Sequence, residues 1–119
     1  MPRVQQRIVE KPWGREVIFA HTDRYVGKEL LIKAGELLSR QYHEKKDETV
    51  YVLQGPLYLE VGDNPPERIV VNKGESFHIP PGTIHRYIAP EGSDCVLIEV
   101  STTELDDVVR LEDRYGRVS

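Results

Sequence analysis

An all-β fold, a sandwich or barrel, is what this 119-residue sequence predicts, and three observations predict it. Apolar and polar side chains alternate with period two over short runs, as in strands with one face buried. Clusters of Gly, Pro and Asn interrupt these runs at intervals of roughly 8 to 12 residues, the spacing of an antiparallel all-β chain. No internal repeat, low-complexity stretch or linker divides the sequence, so residues 1–119 read as one domain.

The expected strands follow in order. Glu16 to Ala20, Lys28 to Ile32, Leu37 to Tyr42, Thr49 to Gln54 and Leu57 to Val61 precede a turn at Gly62-Asp63-Asn64-Pro65-Pro66. The paired prolines fix φ there and cannot donate to a ladder. Ile69 to Val71, Ser76 to Ile79, His85 to Ile88 and Cys95 to Val100 follow, with a second turn at Pro80-Pro81-Gly82. Only the tail reads as a short helix. Thr103 is its cap, Glu104, Asp106 and Asp107 suit the positive end of its dipole, and Leu105, Val108 and Val109 form an apolar face.

Composition bounds the function. Apolar residues make up 39% of the chain and charged residues 30%, a globular balance, and 16 basic against 20 acidic side chains give a net charge of −4. No stretch concentrates Lys and Arg into a face that neutralises phosphates, which argues against a nucleic-acid partner. The one cysteine, Cys95, has no disulfide partner and stands before Val96-Leu97-Ile98, so it reads as a buried small side chain in a reducing compartment. No run approaches the roughly 18 apolar residues of a membrane span, and Met1 to Gln6 has no apolar leader core, so a cytoplasmic location is expected.

The chemistry lies in two blocks, Gly35-x5-Gln41-x-His43-x4-Glu48-x6-Gly55 and Gly74-x5-Pro80-x-Gly82-x2-His85. Gln41 and His43, one residue apart, share a strand face. Glu48 opens the next strand after the polar turn 44–47, and His85 opens a strand just past a Pro-x-Gly turn. Barrel closure brings such strand ends together. Two imidazoles, a carboxylate and an amide oxygen suit one divalent ion of the zinc, manganese, iron, cobalt or nickel type, zinc foremost, and not calcium, which wants about six or more oxygens.

These spacings resemble the two motifs of the cupin family, over Leu30 to Val100, and the resemblance implies a double-stranded β-helix, a jelly-roll barrel with the metal inside. Gln41 stands where the general cupin pattern has its first histidine. Gln-x-His followed by Glu is similar to the cupin domain of type II mannose-6-phosphate isomerases. So are Lys11-Pro12-Trp13-Gly14, residues 38–43, 79–86 and 97–100, and the closing segment 110–117. That likeness implies a metal-dependent aldose–ketose isomerase acting on a sugar or sugar phosphate, with Arg110 matching an arginine that the family's ending supplies to the sugar site. No Gly-rich nucleotide loop is present, so guanylyltransferase activity is not carried over. The family's His- and Arg-rich stretch after the first motif is Glu44-Lys45-Lys46-Asp47 here, which leaves the sugar open.

Isomerisation needs a base for the proton beside a carbonyl and a positive group for the developing oxyanion. His78, between Phe77 and Ile79, is the candidate base on the expectation that its apolar neighbours face away from the cavity. Arg86 and Lys46 are candidates to hold the substrate, with Lys33 and Lys45 as looser ones; His21 reads as a turn residue. Two other readings use the same residues: a non-haem iron oxygenase built on His43, Glu48 and His85, and a cupin that binds metal or sugar without turnover. Exposed strand edges of small barrels are commonly covered by a second copy, so a homodimer is expected.

Overall fold

The computed structural model describes residues 2–117, which form eleven strands and no helix. The strands are β1 (Arg7–Lys11), β2 (Gly14–His21), β3 (Val26–Ile32), β4 (Arg40–Tyr42), β5 (Glu48–Gln54), β6 (Leu57–Val61), β7 (Glu67–Val71), β8 (Ser76–Ile79), β9 (His85–Ile88), β10 (Cys95–Ser101) and β11 (Val109–Glu112). They make two antiparallel sheets, one in the order β1-β2-β3-β10-β5-β8 and the other β11-β4-β9-β6-β7. The β-barrel expected from alternation is therefore present.

The inward side chains change character along the barrel. On β10 the inward row runs Cys95, Leu97, Glu99; on β3 it runs Ile32, Leu30, Lys28; on β5 it runs Val52, Val50, Glu48, and register sets these rows side by side. One end is thus a dry core, joined by Leu57, Leu59 and Val71 from the second sheet. At the other end Lys28, Glu48, Glu99 and His85 are all buried. Buried charge is costly unless paired or bound to a cation, so that end must be explained by its chemistry.

Gly14 fixes where β2 meets β3. Its φ is 152°, and a Cβ there would lie 1.8 Å from the Leu31 carbonyl oxygen, so no larger residue fits that close approach.

Two expectations are corrected. The segment 103–108 is a series of tight turns and not a helix, and Val109–Glu112 is a strand on the edge of β4. A helix of so few residues cannot repay its nucleation, whereas β-branched Val108 and Val109 and an open β4 edge favour pairing. The run from Leu37 is strand only from Arg40, Leu37 keeping a single bridge to Ile88. β1 adds a strand the alternation did not disclose.

Candidate metal centre

His43 follows β4, Glu48 opens β5 and His85 opens β9, and the barrel brings them together. The Nε2 atoms of His43 and His85 lie 3.0 and 3.2 Å from Oε2 of Glu48. The rings sit 5.3 Å apart, and one ligand atom from each of the three residues falls within 4.8 Å of the others. All three side chains are buried.

Proton positions follow from the outer partners. His43 Nδ1 meets the Asp107 carbonyl at 2.6 Å and His85 Nδ1 meets the Thr83 carbonyl at 2.9 Å. A carbonyl only accepts, so each Nδ1 carries the hydrogen and each Nε2 presents a lone pair inward. Among the described residues both Nε2 atoms and Oε2 of Glu48 are buried without a hydrogen-bond donor or acceptor to satisfy them, while Oε1 faces the Lys46 ammonium. Burial opposes charge on Glu48, and the Lys46 ammonium beside Oε1 favours it. Converging lone pairs with no proton between them fit a cation, and imidazole tautomers fixed by backbone carbonyls are what metal-bound histidines show.

Gln41 pairs in register with His85 across β4 and β9, and with Arg110 across β4 and β11, so the three side chains lie on one inward face. Its Oε1 accepts from the Ser39 hydroxyl at 2.7 Å, leaving its second lone pair for another partner. Lys46 is buried beside the carboxylates, its Nζ 3.2 Å from Glu48 and 3.5 Å from Glu99. Burial works against its charge, yet Glu99 and Glu48 prevail and raise its pKa above the ordinary lysine value. Glu99 in turn accepts from Tyr87 Oη at 3.0 Å, and burial, reinforced by the Glu48 charge, pushes its carboxyl pKa up.

A cavity of about 280 Å³ borders Gln41, His43 and Lys46. Cations dominate its wall: Arg7, Lys11, Lys28, Lys46, Arg110 and Arg117, against the carboxylates of Glu16 and Asp106. Burial lowers the Lys11 pKa, and Lys28, Arg117 and Arg110 push it the same way against Glu16. Nε of Arg110 is buried with no partner among the described residues.

Two expected site residues lie elsewhere. His78 does not face the cavity: Phe77 and Ile79 turn into the core, so His78 stands on the outer face, its side chain 58% exposed and 2.7 Å from Asp47. Arg86 points to the opposite face from His85 and binds the Leu38 carbonyl and Glu112, holding β11 in place of a substrate. Lys33 and Lys45 do not line the cavity. Glu99, Lys28 and Glu16 are not singled out as site residues by the sequence, and Asp107, expected as a helix-dipole acid, instead caps the turn before Glu48. For Lys28 and Glu99 a signal existed, since each lies in phase with buried apolar neighbours.

Residues 28–101 match the family described as cupin domain. The chain belongs to the cupin family. It is also similar to the mannose-1-phosphate guanylyltransferase ManC of Salmonella typhimurium strain LT2, 38% identical over 115 residues, covering 94% of this chain and 23% of that protein. The mannose-1-phosphate guanylyltransferase of Escherichia coli strain K12 is 39% identical over 116 residues, with 94% and 23% covered. This cupin chain thus spans about a quarter of the length of the curated relatives it matches, and the resemblance to the cupin part of the type II mannose enzymes holds. Among solved structures, KdgF from Halomonas sp. superposes with a TM-score of 0.73 at 25% identity, covering 87% of this chain and 91% of that one.

Proposed function

We propose that this cupin is a metal-dependent aldose–ketose isomerase acting on a phosphorylated sugar of the mannose type. The observation that carries the reading is the meeting of two imidazole lone pairs and the Glu48 carboxylate beside a cation-walled cavity. A divalent ion held by His43, Glu48 and His85, with Gln41 as fourth donor and zinc as the first candidate, would supply positive charge to the sugar oxygens. Lys46, held as an ammonium, stands beside that position to donate a proton or neutralise the oxyanion.

His78 is replaced as base. Of the two cavity carboxylates, Glu16 faces inward in register with Leu30 and pairs with Lys28 at 3.5 Å, and on this reading it accepts the carbon-bound proton. Arg110 and Lys11 bind the phosphate, a role supported by the Arg110 Nε, unpartnered among the described residues, and by the mutual repulsion at Lys11. Relatives named for mannose 1-phosphate chemistry support the sugar class. A homodimer through the outer face of the six-stranded sheet belongs to the same proposal, since Tyr51, Leu53 and Val100 are exposed there side by side.

The test is metal analysis of the purified protein, then assay of mannose 6-phosphate and fructose 6-phosphate against their unphosphorylated counterparts. Turnover of the phosphates that stops on chelation is expected; no turnover of any of the four sinks the isomerase reading. The Ser39 hydrogen bond to Gln41 favours one second reading, because if Gln41 stays outside the donor set the remaining two histidines and one carboxylate suit iron(II) oxygen chemistry. Oxygen uptake by the iron-loaded protein without sugar turnover would establish that alternative.

A further inference from the structure

Asp107 makes three hydrogen bonds to a single turn and a fourth to the histidine before it, all from more than sixty residues along the chain. Its carboxylate accepts from the backbone amides of Glu44, Lys45 and Lys46 at 3.1, 2.7 and 2.9 Å, and its carbonyl accepts from His43 Nδ1 at 2.6 Å. The turn so capped, residues 44–47, connects His43 to Glu48. Around Asp107, segment 103–108 has only tight turns of its own. Two residues further on, β11 begins and delivers Arg110 into the cavity, opposite Gln41.

We propose that Asp107 is a positioning residue that couples the metal centre to the C-terminal strand, so that occupation of the centre and docking of β11 with Arg110 stabilise each other. The inference rests on the metal-binding reading above. The side chain anchors residue 107 on the ligand turn; the carbonyl of the same residue then fixes the His43 tautomer and ring. Undocking β11 frees that ring, and a ring fixed on a cation resists undocking, because coupling between two sites is reciprocal. Outer partners of this kind are worth about 10- to 100-fold in metal affinity.

The experiment compares zinc affinity, by chelator competition, in the whole chain and in Asp107→Ala and Asp107→Asn. Asp107→Ala is expected to bind zinc about 10- to 100-fold more weakly, with Asp107→Asn, which keeps one acceptor oxygen, between it and the unaltered protein. The visible spectrum of the cobalt(II)-loaded Asp107→Ala protein should also change, because a turned imidazole alters the ligand field where a merely less stable fold would not. Folded Asp107→Ala that binds zinc within twofold of the unaltered protein overturns the proposal and leaves the metal reading standing. Failure of the unaltered protein to bind zinc or cobalt overturns both. Should Asp107→Ala not fold, hydrogen exchange on the unaltered protein decides. Zinc is expected to slow exchange of the Glu44, Lys45 and Lys46 amides and of β11, and exchange in β11 indifferent to zinc overturns the coupling.

Discussion

Glu48 is the residue on which the site turns, because without its charge the inward lone pairs of His43 and His85 face a neutral amide or nothing. Glu48→Gln should lower zinc affinity at least 100-fold while the barrel still folds, as checked by zinc titration beside circular dichroism. Arg110→Ala should leave metal content unchanged but raise KM for a phosphorylated sugar about 10- to 100-fold, the loss of one charge-assisted hydrogen bond of roughly 1.5–3 kcal/mol. Its unphosphorylated counterpart should be little affected. His78→Ala, on the outer face, should change neither metal content nor turnover by more than about twofold. The cluster of His43, Glu48 and His85 is legible because its spacing joins strand ends, whereas alternation alone does not give the parity of His78: in a barrel the apolar neighbours take the interior and the residue between them is sent out. Lys28 and Glu99 carry the phase of buried neighbours, but their charge masks it. A charged residue on a strand looks solvent-facing until its partner across the sheet, here each other, is known.

At the scale of elements, the question is what keeps β11 and its arginine on the sheet. A ladder runs across the outer face from Arg68 to Glu60, Arg40, Glu112 and Arg86, with N–O distances of 2.9–3.3 Å. Burial raises the Glu60 pKa, but Arg40 and Arg68 outweigh it and leave the carboxyl below its ordinary value. A depressed folded pKa means the stabilisation is complete above the unfolded value of about 4.3 and is lost as pH falls through the folded one. Urea midpoints should therefore separate the unaltered protein from Glu60→Gln at pH 7, and the gap should close in acid. Arg86→Ala removes a buried guanidinium bound to the Leu38 carbonyl and should cost about 1–3 kcal/mol in the same measurement. Strands with clean alternation, such as Leu57–Val61, could be read directly. β1 could not, because Arg7 to Lys11 carries charges at both ends, and β11 could not, because acids at 104–107 imitate a helix start while serving as turn and cap residues.

Across the whole molecule, the arrangement divides one barrel into a dry end that supplies stability and a polar end that spends some of it. Leu97, Leu30 and Val52 share rows with Glu99, Lys28 and Glu48, so the core fixes the site's geometry through strands common to both. Cations around the cavity on a chain of net charge −4 concentrate a positive field in one place. Sedimentation should find two chains together, and Tyr51→Glu, on the exposed outer face, should return one. The most direct test of the account is X-ray absorption at the zinc edge of the zinc-loaded protein. Two imidazole nitrogens and one or two further oxygen donors at about 2.0–2.2 Å are predicted; a shell of oxygens without imidazole scattering would contradict the centre formed by His43, Glu48 and His85.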